Sequence, residues 1–142
     1  MKANLLLLKK LDFAIGPVAV NLIKQLAPLR QNRTDNFRSI LFIRPGGIGD
    51  AVLLTPAIKA IKKKYPEANI DVLAEKRNSG AFSFCPEIRN VYLYDRPKEL
   101  WKAIRNGYEV VIDTEQWHRM SAVVARLIKA PVIIGYATNE RR

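Results

Sequence analysis

Cysteine and histidine are almost missing from the sequence, since Cys85 and His118 are the only residues of their types among 142. A single cysteine excludes an intramolecular disulfide and any metal site built on several thiolates. A single histidine argues against a zinc site, because such sites combine several imidazole, thiolate or carboxylate ligands. We therefore expect the chain to bind no metal ion.

Long hydrophobic runs are also missing. A membrane-spanning helix needs about 20 consecutive, predominantly apolar residues, and the leucine-rich N-terminal region is broken by Lys9, Lys10 and the Gly16–Pro17 pair. Residues 1–38 carry seven basic and two acidic side chains, a net charge of +5. We expect residues 1–30 to form an amphipathic, basic helical segment and the polar residues 31–38 to form a linker.

Two interpretations of residues 1–30 stay open. A basic, leucine-rich helix is typical of segments that lie on the surface of an anionic membrane. The same pattern is typical of a helix whose apolar side packs against protein.

Acidic residues are scarce relative to basic ones. The sequence has 24 Lys and Arg residues against 13 Asp and Glu, which gives a net charge of +11. Such a charge attracts nucleic acids, anionic lipids and phosphorylated glycolipids. No nucleic-acid-reading motif is present, so we expect no nucleic acid partner. We expect an acidic glycolipid or an anionic membrane surface, and the plainer alternative is a basic surface without a special partner.

Strand-like and helix-like segments alternate along the rest of the chain. Short apolar runs predict strands at 39–44, 69–74, 90–95, 108–113 and 132–136. Helices are predicted at 50–64, 98–106 and 121–129, the last with Ser121 as its N-cap. This order predicts an α/β fold, with a Rossmann-like parallel sheet and helices on both faces. Ligands of such sheets bind beyond the carboxyl ends of the strands.

The most distinctive segment is Arg44-Pro-Gly-Gly-Ile-Gly-Asp50, between the first predicted strand and the first predicted helix. Gly46, Gly47 and Gly49 permit a sharp turn and a close approach of a ligand. Their spacing matches neither the dinucleotide fingerprint nor the phosphate-binding P-loop. The Asp50 carboxylate is suited to accept a proton from a hydroxyl group, or to serve as an ordinary helix N-cap.

This motif is part of a longer resemblance. Residues 40–60, with Gly-Gly-x-Gly-Asp followed by Thr-Pro-Ala, closely resemble the opening of the ADP-heptose:lipopolysaccharide heptosyltransferases of glycosyltransferase family 9. Further similar segments lie at 64–73, 86–91, 108–116 and 130–136. The resemblance implies a GT-B architecture, in which an N-terminal domain binds the acceptor and a C-terminal domain binds the donor. We therefore expect residues 39–142 to be the acceptor-side domain, with the donor domain absent.

The resemblance also implies an activity. The expected reaction is an inverting, metal-independent transfer of heptose or a related sugar from a nucleotide-diphosphate sugar such as ADP-heptose. The expected acceptor is the core of lipopolysaccharide or a similar glycolipid. Asp50 takes the position of the general base. The expected acceptor-binding residues are Gly46, Gly47, Gly49, Arg77, Gln116, His118 and Arg119. No cofactor is expected in this domain, which is expected to be inactive without the donor domain.

Plainer alternatives accompany these assignments. Arg77 and Arg119 follow strand ends and suit acidic groups of an acceptor, although surface arginines are usually just solvated. Trp117 either stacks on a sugar ring or covers the core. The implied location is the cytoplasm, at the inner face of the cytoplasmic membrane. The alternative to an enzyme is a non-catalytic basic domain that binds anionic glycolipid or a membrane surface.

Overall fold

The computed structural model describes residues 36–117 and 119–136. The predicted N-terminal helical segment of residues 1–30, most of the predicted linker and His118 lie outside these ranges. Within them the chain forms five strands, three α-helices and one 3-10 helix. The strands are β1 Ser39–Arg44, β2 Asn69–Ala74, β3 Ile88–Leu93, β4 Val110–Asp113 and β5 Val132–Gly135. The helices are α1 Ile48–Lys64, the 3-10 helix Ser79–Phe84, α2 Pro97–Arg105 and α3 Arg119–Leu127.

The five strands form one parallel sheet in the order β3-β2-β1-β4-β5. β1 is central. From β1 the chain continues to β2 and then β3 on one side of the sheet, and β4 and β5 lie on the other side. Ile43 pairs with Leu73 on one side and with Asp113 on the other. The carboxyl ends of β1, β2 and β4 therefore lie at the same edge of the sheet, and the strand order reverses between β1 and β4.

Helices cover both faces of the sheet, which confirms the predicted α/β fold. Ile40 and Phe42 of β1 pack against α1 and the 3-10 helix. Leu41 and Ile43 pack in a second cluster that contains residues of α2 and α3. All four side chains are at most 1% exposed. A strand buried on both faces reads as a continuous apolar run, which is why the sequence predicts β1 with its correct bounds.

Helix α1 contains a proline in its third turn and still continues to Lys64. Pro56 has no backbone N–H, so the carbonyl of Val52, four residues earlier, lacks its helical donor. The hydroxyl of Thr55 donates to this Val52 carbonyl oxygen at 2.7 Å. The Thr55–Pro56 pair therefore carries its own replacement for the missing hydrogen bond.

The predicted N-cap role of Ser121 is wrong. Helix α3 begins at Arg119, two residues earlier, so Ser121 lies inside the helix. Its side chain is fully buried and its hydroxyl donates to Oδ2 of Asp113 at 3.0 Å. The serine therefore links α3 to the end of β4, which a local capping pattern cannot indicate.

A fully buried acid, Asp71 of β2, forms a polar network on the side of the sheet where Tyr108 is buried. Arg89 donates to both carboxylate oxygens, at 3.0 and 2.6 Å. The Tyr108 hydroxyl donates at 2.9 Å, and Asn90 contributes a third donor at 3.1 Å. Burial, together with the Asp71 charge, raises the pKa of Tyr108. The predicted fourth strand accordingly starts too early, since Tyr108 precedes β4 and belongs to this network.

We predict that Asp71→Ala lowers the free energy of unfolding by about 2–4 kcal/mol. The reason is that the variant leaves the buried Tyr108 hydroxyl and the Arg89 guanidinium without their acceptor. Urea denaturation followed by circular dichroism measures the change. Glu67→Ala is the control at an exposed acid and should stay within about 0.5 kcal/mol of the parent chain. Equal losses for both variants would contradict the structural role of Asp71.

Cys85 is 3% exposed and packs in the core on the α1 side of the sheet. Its thiol donates to Oε2 of Glu87 at 3.1 Å. Burial, and then the hydrogen bond to the Glu87 carboxylate, raises the pKa of this thiol from 9.0 to about 11. The native state therefore favours the neutral thiol.

We predict that Cys85 reacts at least roughly 100-fold more slowly with a disulfide reagent at pH 8 in the native chain than in urea, because the thiolate is the reactive species.

The unfolded thiol ionises first as the pH rises. The stability that the raised pKa contributes is therefore fully present below pH 9 and is lost by about pH 11. Equal reaction rates in both states would contradict this assignment.

Candidate functional site

A cleft of about 360 Å³ opens at the carboxyl end of the sheet, where the strand order reverses. Its walls come from the end of β1, the first turns of α1, the loop after β4 and the residue after β5. The lining residues are Arg44, Asp50, Leu53, Leu54, Thr114, Glu115, Gln116, Trp117 and Tyr136. This is the position at which open α/β sheets bind their ligands.

The glycine motif forms the turn from β1 into α1. Gly46 has a φ of +116°, a conformation that residues with a Cβ rarely adopt. A Cβ at Gly46 would also lie 3.3 Å from Oε2 of Glu115. Gly47 is the N-cap of α1 and has an ordinary extended backbone. A Cβ there would lie 3.0 Å from Oδ2 of Asp50, whereas Gly49 faces open space.

Asp50 lies in the first turn of α1, not at the N-cap. The helix begins at Ile48, two residues earlier than predicted, so the capping interpretation of Asp50 is wrong. Its side chain is 58% exposed at the rim of the cleft. Oδ2 accepts a hydrogen bond from Nη2 of Arg44 at 2.6 Å. The carboxylate is therefore oriented by a cation and remains accessible to a ligand.

Arg44, the last residue of β1, connects three walls of the cleft. Its side chain is only 11% exposed. While Nη2 contacts Asp50, Nη1 donates to the backbone carbonyl of Thr114 at 2.7 Å. Nη2 also lies 3.7 Å from Oε2 of Glu115. Arg44 thus binds groups of α1 and of the loop after β4 at the same time.

Glu115 is the functional candidate that the sequence analysis did not single out. It lies in the predicted loop, and its side chain is only 4% exposed. Its backbone N–H donates to Oδ1 of Asp113 at 3.0 Å, and its own Oε1 accepts from the backbone N–H of Trp117 at 2.9 Å. An acid in a polar loop is ordinarily solvated, and only the folded structure places this one under Arg44. No local sequence signal identifies it.

The neighbouring loop after β2 contains Arg77, whose Nε lies 2.5 Å from Oε2 of Glu75. Nη2 of Arg77 lies 4.0 Å from the position of a Cβ at Gly46. The buried Asn78 fixes this loop to β1, because its side-chain amide donates to the carbonyl of Arg44 at 2.9 Å. The structure therefore brings Arg77 next to the glycine motif, beside the cleft that Asp50 lines.

The other predicted site residues are less uniform in position. Gln116 lines the cleft together with Asp50. Arg119 is the first residue of α3 and is not among the described residues that line the cleft. His118 lies outside the described residues. Trp117 and Tyr136 add aromatic surface to the cleft and are 73% and 49% exposed, so Trp117 does not cover the core.

The arrangement provides a carboxylate at the rim of the cleft, a largely buried guanidinium in contact with it, and aromatic side chains in the same cleft. Such a site is suited to bind a polar ligand and to accept a proton from its hydroxyl group. Within residues 36–117 and 119–136, no group of three His, Cys, Asp or Glu side chains is arranged to hold a metal ion.

Comparison with solved structures identifies the class of fold. A glycosyltransferase family 9 protein from Veillonella parvula superposes with a TM-score of 0.60 at 18% identity, covering 73% of this chain and 34% of that one. The ADP-heptose lipopolysaccharide heptosyltransferase II of Escherichia coli superposes with a TM-score of 0.62 at 23% identity, covering 72% of this chain and 32% of that one. At these identities the likeness establishes the fold: the described residues have the α/β fold of family 9 glycosyltransferases.

Comparison with curated sequences identifies the relatives. The chain is 35% identical over 107 residues to lipopolysaccharide heptosyltransferase 3 of Escherichia coli. The match covers 66% of this chain and 31% of that protein, so the chain spans about a third of this relative's length. No family model matches the chain. The resemblance to the lipopolysaccharide heptosyltransferase family is thereby confirmed over the matched region, and the chain is a relative of these proteins.

We predict that alanine destabilises the protein at one glycine of the motif and does not at another. Gly46→Ala should lower the free energy of unfolding by about 1–3 kcal/mol, because its positive φ and the close Glu115 carboxylate both oppose a Cβ. Gly49→Ala should leave stability unchanged or raise it by up to about 1 kcal/mol, because alanine is the better helix former. Urea denaturation compares the two, and equal destabilisation would contradict the described turn.

Proposed function

We propose that the chain is the acceptor-binding, N-terminal domain of an inverting, metal-independent glycosyltransferase of GT-B architecture. The reaction transfers heptose or a related sugar from a nucleotide-diphosphate sugar to the core of lipopolysaccharide or a similar glycolipid. One observation supports this most directly. The Asp50 carboxylate lies exposed at the rim of a cleft at the switch point of the sheet, oriented by Arg44. The named relatives, which are heptosyltransferases, support the choice of sugar.

In the proposed reaction Asp50 is the general base. An acceptor hydroxyl enters the cleft and its oxygen attacks the anomeric carbon of the donor sugar. A carbon–oxygen bond forms there while the bond from the anomeric carbon to the phosphate oxygen breaks on the opposite face. The hydroxyl proton passes to Asp50, and the nucleoside diphosphate leaves with the electron pair. A carboxylate within hydrogen-bond reach of the hydroxyl is what this proton transfer requires.

The acceptor fits the charge of the chain. The net charge of +11 attracts an acidic, phosphorylated glycolipid. Arg77 lies beside the glycine motif with 41% of its side chain exposed, so it is accessible to an acidic group of the acceptor. Gln116 lines the cleft and offers an amide to sugar hydroxyls. The exposed Trp117 ring provides a flat apolar surface against which a sugar ring stacks. We also propose that Arg119 and His118 contact the acceptor.

The donor-binding part belongs to a second domain in this proposal. Residues 39–142 supply the acceptor side, and the nucleotide-sugar binds to residues beyond this chain. In this proposal the enzyme acts in the cytoplasm, at the inner face of the cytoplasmic membrane, and residues 1–30 either lie on the membrane surface or pack against protein. In the described part of the chain, no helix combines the length and apolarity needed to cross a bilayer.

We predict that Asp50→Asn lowers kcat roughly 100- to 10,000-fold in the native-length protein, because the amide cannot accept the hydroxyl proton. The assay measures release of nucleoside diphosphate from ADP-heptose in the presence of a heptose-deficient lipopolysaccharide core. Glu67→Gln removes an exposed carboxylate in the turn after α1, away from the cleft, and should leave kcat unchanged.

Full activity of Asp50→Asn would contradict the assignment of the general base. If the unaltered native-length protein releases no nucleoside diphosphate but still binds vesicles containing anionic glycolipid, the enzymatic proposal is wrong. The chain is then a non-catalytic binding domain.

A further inference from the structure

We infer that Arg44 is a positioning residue for the Asp50 carboxylate and that the buried Glu115 carboxylate holds Arg44 in that role. The inference rests on the proposed function, because it concerns how the proposed general base is oriented. It assigns a role beyond stability to the buried Glu115 and to Arg44, whose side chain is 11% exposed. Neither residue needs to touch the acceptor.

The first observation is the fork of the Arg44 guanidinium. Nη1 donates to the Thr114 carbonyl at 2.7 Å, while Nη2 donates to Asp50 at 2.6 Å. The planar group therefore fixes Asp50 relative to the loop after β4, and a lysine ammonium lacks this geometry. Nε of Arg44 is buried without a hydrogen-bond partner among the described residues. The Nε–H group of Arg44 is thus left without an acceptor, while Nη1 keeps its contact with Thr114 and Nη2 its contact with Asp50.

The second observation is the burial of Glu115. A carboxylate that is 4% exposed is costly unless a cation and hydrogen bonds compensate it. Arg44 lies 3.7 Å away, and the backbone N–H of Trp117 holds the other carboxylate oxygen at 2.9 Å. The Glu115 carboxylate is therefore held by its own loop through the Trp117 N–H and attracts the Arg44 guanidinium through its other oxygen. The order of contacts runs from Glu115 through Arg44 to Asp50.

The third observation is the close approach of the Asp50 side chain to Gly47. A Cβ at this residue would lie 3.0 Å from Oδ2 of Asp50, the oxygen that Arg44 binds. The backbone of Gly47 has a φ of −65° and a ψ of 141°, which any residue adopts. A Cβ at this position therefore conflicts with the observed orientation of the Asp50 side chain and not with the turn. Alanine there would move the carboxylate away from Arg44.

The test uses kcat and KM of the native-length protein in the nucleoside diphosphate release assay. Arg44→Lys, Glu115→Gln and Gly47→Ala should each lower kcat by roughly 10- to 100-fold, because a small misplacement of a reacting group has effects of this size. KM for the acceptor should change by less than about threefold, since ground-state binding is preserved. The matched controls are Arg105→Lys at the last residue of α2 and Gly80→Ala in the 3-10 helix, where an added Cβ meets nothing within 4 Å, both with unchanged kcat.

Each variant is then combined with Asp50→Asn. A residue that acts through Asp50 should cause no further loss of kcat in that background. Multiplying losses, or a rise in KM with unchanged kcat, would overturn the inference and indicate contact with the acceptor or general stability. If Arg44→Lys fails to fold, Glu115→Gln decides whether the buried carboxylate holds Arg44 in place. Gly47→Ala, which introduces no backbone strain, then decides whether the orientation of Asp50 matters. Absence of turnover in the unaltered protein contradicts the proposed function itself, whereas turnover with multiplying losses contradicts only this inference.

Discussion

The cleft depends on one interaction, the contact of the Arg44 guanidinium with groups from two neighbouring segments. Arg44 is the last residue of the central strand, where its side chain reaches both the first turn of α1 and the loop after β4. Removing it would take away the contact that joins these walls and the Arg44 cation beside the buried Glu115 carboxylate. The parallel sheet makes this contact possible, because the carboxyl ends of β1 and β4 lie side by side.

The structure uses buried acids in two different ways. Asp71 is fully enclosed and accepts hydrogen bonds from Arg89 and Asn90 of the edge strand β3 and from Tyr108, which precedes β4. Glu115 is nearly as buried, but Arg44, the cation beside it, also contacts the Asp50 carboxylate, which is 58% exposed. The contacts of Asp71 stay within the protein, whereas those of Glu115 extend through Arg44 to a carboxylate that lines the cleft. This difference is the physical basis for assigning function to one of them.

The sequence predicts the sheet well because its inner strands are continuous apolar runs. The bounds predicted for β1 and β2 are those observed. Helix starts are predicted less well, since α1 begins at Ile48 within the glycine motif and α3 begins two residues before Ser121. Both errors have one cause: a side chain that looks like a local cap makes a tertiary contact instead, Asp50 with Arg44 and Ser121 with Asp113.

For the candidate site, the sequence predicts the loops but not their connections. The rule that ligands bind beyond strand ends selects the segments that contain Asp50 and Gln116, and the structure brings both to one cleft. The partnership of Arg44 with Glu115 spans 71 residues and leaves no periodic signal, so only the folded chain reveals it. The proposed role of Asp50 as a base rests on family resemblance, and the structure adds the orientation and exposure of its carboxylate.

In the proposed function, the acceptor hydroxyl meets the Asp50 carboxylate in the cleft between β1 and β4. A crystal structure of the native-length protein with a heptose-deficient lipopolysaccharide core tests it most directly. We expect an acceptor hydroxyl about 2.6–3.2 Å from an Asp50 oxygen, with the Arg44 contact to Oδ2 intact. An acceptor bound elsewhere, with Asp50 facing only solvent, would contradict it.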